Sequence, residues 1–380
     1  MNVEREIAGF VAPFAAGVLV TAYAGGSSCV DSPTFSYISF GAIAIALACL
    51  LSRNRWRCKG GEVLQRIALW IFISIGAFGS GALSAAADML QSFEWPASRL
   101  EVTAENFAGK MQSAIDSIPF KSQDTGALIK ALLTGNRSSL SSAITEAFRS
   151  SGASHILALS GMHLGIICLI LSKMLSIMGY SITARRCRSC LLILLCGFYT
   201  LATGAGASIV RAFLFILLSE IAKLSGRHRS LIQILFAAML IQLTISPLSA
   251  LSVSFQLSYA AMAGIAFIFP WLRGFWPETE ASTAGGKAIG KAGQRIWTAA
   301  ALSISCQMTT GPLAYIYFDT IPKHFLLTNL ISLPIAGILI PAAALTLCLS
   351  ALGWCPAFMI QITEALADLL TWALEVISTM

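Results

Sequence analysis

The chain of 380 residues is 56% hydrophobic and 11% charged, with a mean hydropathy of +0.77. Those values exclude an ordinary soluble globular domain and point to an all-α polytopic integral membrane protein, with about 10–12 membrane helices and a helical outward-facing segment. A net charge of +7 would suit a nucleic-acid binder, but in a membrane protein it first reports which loops lie inside.

Uncharged apolar runs of bilayer-crossing length are predicted at about 7–25, 34–51, 64–87, 154–172, 189–210, 230–246, 252–270 and 296–316. The first could be taken for a secretory leader, because "TAYAGG" offers a cleavable spacing of small residues. The residues ahead of it, Glu4, Arg5 and Glu6, are not net positive, so an uncleaved first span is expected. With the N-terminus in the cytoplasm, the short inner loops collect fifteen Lys/Arg: Arg53, Arg55, Arg57, Lys59 and Arg66; Arg185, Arg186 and Arg188; Lys223, Arg227 and Arg229; and Arg273, Lys287, Lys291 and Arg295. The short outer loops collect Lys323 alone, and this asymmetry sets the orientation.

The long polar interruption from Gln91 to Ser151 falls on the outer side. Phe107, Met111, Ile115 and Ile118 form one helical stripe, Leu128, Ile129, Leu132 and Leu133 a second, and Ser141–Phe148 a third short piece. No alternating strand pattern occurs, so these broken amphipathic helices are expected to lie as a cap on the outer membrane surface.

The stretch "SHILALSGMHLG" then sets His155 and His163 in one apolar run. Read as a continuous helix, the pair would be about 12 Å apart along the axis and could not share a metal ion. Ser160, Gly161 and His163 invite a serine-nucleophile reading, but neither a Gly-x-Ser-x-Gly elbow nor an HExxH motif is present. From Ser189 to Leu224 the charged side chains are Arg211, Glu220 and, at the very end, Lys223, and two spans fill that length with almost no loop. The turn between them, "ATGAGAS", uses Gly204 and Gly206 for open backbone at or just below the outer interface. A Gly-interrupted hydrophobic segment of this kind marks a transport path, and a cation such as Arg211 inside it costs roughly 2.5–3.5 kcal/mol unless it faces a polar surface or snorkels to the interface. Gln256, Ser258, Gln307 and Asn329 add uncharged polar groups at apparent membrane depth.

Past Lys323, Pro334 and Pro341 leave two possibilities, one broken helix or two short ones. The last segment carries Glu364, Asp368, Thr371 and Glu375 on one face, so it is read as an amphipathic or membrane helix. Of ten cysteines, Cys49, Cys168, Cys196, Cys306 and Cys348 sit in apolar runs as small hydrophobes. Cys187 and Cys190 have CxxC spacing without two further zinc ligands nearby, so neither a metal nor a cofactor is expected.

Residues Gly126 to Gly165, "GALIKALLTGNRSSLSSAITEAFRSSGASHILALSGMHLG", resemble the signature of the ComEC competence-protein family. Three further stretches are similar to that family in the same order. They are Tyr199, Gly204, Ser208, Arg211 and Ala212; "SFQLSYAAMAGI", Ser254 to Ile265; and Pro312 through Phe318 to Asn329 and Pro334. The resemblance implies a channel in the bacterial inner membrane that passes single-stranded DNA into the cytoplasm during natural transformation. His155, Ser160, Gly161, His163, Tyr199, Gly204, Ser208, Arg211, Gln256, Ser258 and Asn329 would line its path.

Fuller family members also carry an OB-fold domain and a metallo-β-lactamase-like domain. This sequence has no OB-like strand pattern and, with four histidines and no HxHxDH, no metal motif of that kind. Neither does it carry a complete Gly-x-x-x-x-Gly-Lys-Ser/Thr phosphate loop, since Gly285–Lys291 is followed by Ala292, so no enzymatic activity is expected. The expected partners are membrane lipids, a DNA receptor, a translocase motor and a nuclease where one is separately encoded. The alternatives are a channel remnant or scaffold for another polar or anionic solute or for that nuclease, and an intramembrane serine hydrolase. The expected organisation is 1–90, three spans; 91–151, the outward-facing segment; 152–353, the ComEC-like channel core; and 354–380, the C-terminal helix.

Overall fold

The structure is a computed structural model, and it describes residues 2–26, 71, 73–82, 84–85, 99–179, 181–226, 230–276, 284–319 and 323–379. The expected span at 34–51, most of that at 64–87, Cys49 and the cations Arg53 to Arg66, Arg227 and Arg229 lie outside them. The described residues divide into two compact units, Met1–Pro96 with Gly226–Tyr259, and Ala97–Ser225 with Ala260–Met380.

In the first unit, α1 (Asn2–Gly26) and α2 (Ile73–Ala82) meet through paired glycines. A Cβ on Gly17 would stand 2.0 Å from the Phe78 carbonyl oxygen, and one on Gly81 would stand 2.0 Å from that of Phe14. Small residues at such a crossing let two backbones touch, which is how helices gain contact where lipid is as apolar as leucine. Helix α10 (Leu231–Ile245) packs against α1 and carries the buried Gln242, whose Oε1 accepts from the Tyr259 hydroxyl at 3.1 Å.

The second unit begins with α3 (Arg99–Asp116), α4 (Gln123–Thr134), α5 (Ser142–Ser150) and the single turn α6 (Ser154–Leu157). Pro119 lies just beyond α3, Gly135 closes α4 in the left-handed region at φ 79°, and Ser141 caps α5 by accepting from Ile144 N. A surface cap is the wrong description for α4. Nine of its twelve residues are buried. Leu128 and Leu132 join Phe148 and Ile156 in one apolar cluster with Leu339, Leu370 and Leu374, while Ile129 and Leu133 join Ile115 and Ile340 in another. The reason is visible in "ALIKALLT", where apolar residues fall on nearly every side and Lys130 is the one charged group, leaving little of the helix to offer water. Its one cation, Lys130, is met by Asp116 at 2.6 Å.

The remaining helices are α7 (Gly161–Leu175), α8 (Ile182–Ala202), α9 (Ala207–Leu224), α11 (Val253–Ala263), α12 (Phe269–Arg273), α13 (Ala284–Phe318), α14 (Phe325–Ala351) and α15 (Ala357–Ser378). A π turn, Gly264–Ile268, joins α11 to α12. It places Gly264 where a Cβ would come within 2.3 Å of the Ser305 carbonyl oxygen of α13.

Four stretches of the described residues are long and apolar enough to cross a membrane: Gly161–Met178, Val253–Arg273, Phe325–Ala351 and Ala357–Ser378. Gly9–Thr21, Ile73–Ala82 and Leu231–Ile245 are shorter apolar helices. Pro334 and Pro341 do not divide α14, which runs as one helix of 27 residues. Helix α15 lies along α14 with Thr363, Glu364, Ala367, Leu370 and Leu374 buried, and its Asp368 and Glu375 exposed.

Candidate functional site

The run 154–172 is not a continuous helix. Helix α6 stops at Leu157, Ala158 and Ser160 are extended, and α7 starts at Gly161. The helical spacing of about 12 Å between His155 and His163, drawn from an unbroken rise, therefore does not apply. The break is encoded locally. Ser160 is the N-cap of α7: its Oγ accepts from Met162 N at 3.3 Å, while Nδ1 of His163 accepts from Ser160 N at 3.3 Å and lies 3.2 Å from Ser160 Oγ. This is a capping box with histidine in the place usually taken by Glu or Gln.

That role occupies the imidazole nitrogen that faces the serine. It leaves Nε2 of His163, on a fully buried side chain, without a hydrogen-bond partner among the described residues. A buried polar atom of this kind costs about 1–3 kcal/mol unless something polar reaches it.

Arg211 stands at the same place. It is 7% exposed, in the second turn of α9, with Nη2 at 3.5 Å from Ser208 Oγ. A Cβ on Gly161 would lie 3.5 Å from Nη2 of Arg211 and 3.4 Å from Cβ of Ala212. The guanidinium thus sits beside the first residue of α7, at the positive end of the helix dipole, where Met162 N and His163 N already bond to Ser160. A permanent cation against a helix N-terminus makes a local field that favours an anion.

The turn that delivers Arg211 is tight. Gly204 has φ 83° and Ala205 φ 47°, and Ala205 N bonds to Thr200 O at 2.9 Å. Residues Gly204 to Gly206 are exposed, so the open backbone lies at the end of the bundle and is not packed in protein.

His155 keeps an exposed edge, while the protein gathered around its ring lowers its pKa from the usual imidazole value. Its Nδ1–H bond to Gly152 O, at 3.2 Å, acts in the opposite direction. Tyr199 serves as a tie: its buried hydroxyl donates to Leu133 O at 2.7 Å, binding α8 to the end of α4. Asn329 is half-buried on α14, and Lys173 is exposed. Gln256 and Ser258 belong to the first unit, where Gln256 Nε2 donates to Ala250 O at 3.0 Å. The structure therefore brings Ser160, Gly161, His163, Ser208 and Arg211 together.

A second polar group, assigned no role from the sequence, lies at the other end of α8 and α9. Glu220, 7% exposed, accepts from Ser189 Oγ at 2.7 Å and pairs with Lys223 at 2.5 Å. The Glu-x-x-Lys spacing was its signal. Among the described residues no group of three or more His, Cys, Asp or Glu could hold a metal ion.

Helices without strands among the described residues, several of them long and apolar enough to span a bilayer, make this an all-α polytopic membrane protein. The family model for the competence protein family matches residues 132–380, and the chain belongs to that family. Over 140 residues it is 29% identical to ComE operon protein 3 of Bacillus subtilis (strain 168); the match covers 36% of this chain and 17% of that protein. No solved structure matches.

Proposed function

We propose that the chain forms a path through the bacterial inner membrane for one strand of DNA during natural transformation, with its N-terminus in the cytoplasm. Membership of the competence protein family supports a role in transformation. The observation that carries the conduit reading is the placing of Arg211 against Gly161 at the start of α7, beside Ser160 and the orphaned Nε2 of His163. Each strand phosphate brings one negative charge, and this cluster offers a buried cation at the positive end of a helix dipole on an otherwise apolar bundle. One such cluster holds a phosphate without gripping a long stretch of strand, so the strand can still move. Ser160 is occupied in capping α7, which supports a positioning role over a nucleophilic one.

In this reading a separate motor supplies the energy for movement. A DNA receptor outside and, where separately encoded, a nuclease would complete the pathway. The test is to delete the gene in a transformable host, complement it with wild-type or Arg211→Gln, and follow labelled DNA into the cytoplasm. Loss of uptake on deletion and a strong reduction with Arg211→Gln are expected. Undiminished uptake in the deletion strain overturns the reading.

A further inference from the structure

Membrane orientation accounts for the sign of Arg273, Lys291 and Arg295, but not for the aromatic rings set among them. Trp271 and Phe275, one turn apart at the end of α12, meet edge to face with centroids 4.8 Å apart, and remain 63% and 58% exposed. Trp276 follows at once and lies tilted against Trp297 of α13, centroid to centroid 6.4 Å. Gly293 makes room for it: a Cβ there would come within 2.8 Å of the Trp276 ring. Trp297 is fixed in turn, because its Nε1–H donates to Leu272 O at 3.1 Å. Arg273, Lys291 and Arg295 are all exposed on these same two helix ends. Between them, residues 269–276 and 290–297 hold these three cations and no carboxylate, while Glu278 and Glu280 of the connection lie outside the described residues.

We propose that this junction is a stacking platform for a single strand of nucleic acid, with the rings receiving bases and the three cations receiving phosphates. The proposal rests on the conduit reading above and on its inward orientation, and it places the platform at the cytoplasmic end of the path. Rings interleaved with cations are the surface that sequence-independent single-strand binding requires, because every base has a π face and every linkage a charge. An interfacial tryptophan that anchors a protein to lipid works through its N–H in the headgroup layer. Trp297 has already committed that N–H to Leu272 and holds the junction together, while the exposed ring is that of Trp271.

The test uses the full chain in nanodiscs of zwitterionic lipid, titrated with a fluorescent oligothymidylate at several salt concentrations. Neutralising the three cations together (Arg273→Gln, Lys291→Gln, Arg295→Gln) should lower affinity and reduce the slope of log affinity against log salt by about 2, from roughly 0.7 per single-strand phosphate contact. Trp271→Ala should weaken binding about 5-fold or more while leaving that slope unchanged. Absence of binding by the wild-type chain, or wild-type affinity in both variants, overturns the proposal. So does a variant defect confined to nanodiscs containing anionic lipid, which would make the junction a lipid anchor. If Arg211→Gln blocks DNA uptake while the platform variants bind as wild type, the platform alone fails. If the deletion strain takes up DNA normally, the conduit reading fails whatever the oligonucleotide does.

Discussion

Substitution at Gly161 probes the space beside Arg211 directly. Its φ is not positive, so any L-residue can take the backbone conformation. The first added carbon would meet Ala212 Cβ at 3.4 Å and Arg211 Nη2 at 3.5 Å, both ordinary contact distances. Gly161→Ala therefore fits, and by restricting the unfolded chain it should stabilise by about 0.4–1 kcal/mol. Gly161→Val adds two methyl groups to the same crevice, and overpacking of that kind costs about 1–3 kcal/mol while displacing the guanidinium. The two variants should differ by roughly 2 kcal/mol in stability. Thermal unfolding of the detergent-solubilised chain measures the stability difference, and uptake of labelled DNA in a complemented deletion strain measures function. The alanine variant should retain uptake and the valine variant lose most of it. A valine variant that takes up DNA as well as the alanine variant would refute the assignment of this crevice to the path, and a destabilised alanine variant would refute the geometry itself.

Three other substitutions test the frame that holds the site. Tyr199→Phe removes the bond to Leu133 O and leaves a buried carbonyl short of a partner, so thermal unfolding should reveal a loss of about 1–3 kcal/mol. Gly264→Ala would push a methyl group to 2.3 Å from the Ser305 carbonyl, a backbone atom that cannot swing aside, and should cost more than about 3 kcal/mol or abolish accumulation of folded protein in the membrane fraction. Glu364 accepts from the backbone N–H of Lys121, joining α15 to the turn before α4. Glu364→Gln keeps an acceptor and should melt close to wild type, whereas Glu364→Ala should lose about 1–3 kcal/mol, with protease sensitivity of the 117–122 turn as an independent readout.

Some of the site was legible before the fold was known. Ser160 followed three residues later by His163 is a capping pattern, but with histidine in the acceptor position it reads equally as part of a long apolar helix, and the longer reading hid the break at 158–160. The tight turn at Gly204 and Gly206 was deduced from length alone, since two spans between Ser189 and Leu224 leave no residues for a loop. The burial of α4 could have been read from its lack of a polar face, but its position in a long hydrophilic stretch suggested a surface cap instead. The aromatic platform escaped notice because its rings come from two helices, and their cations were already explained by orientation.

Composition and periodicity determined the solvent of this protein and the kind of element it uses, because a backbone in hydrocarbon must satisfy its own polar groups and helices do so within one segment. Charge bias along the sequence gave an expected orientation, and four ordered motifs gave a family resemblance that the match over residues 132–380 bears out. Only the tertiary structure decided which polar groups meet. Arg211 lies fifty residues beyond Gly161, and Glu364 lies far beyond Lys121 in the chain. Between spans the attraction is packing and hydrogen bonding rather than a hydrophobic force, so the pairing of faces depends on shape at each crossing, and no pattern within a single segment records it.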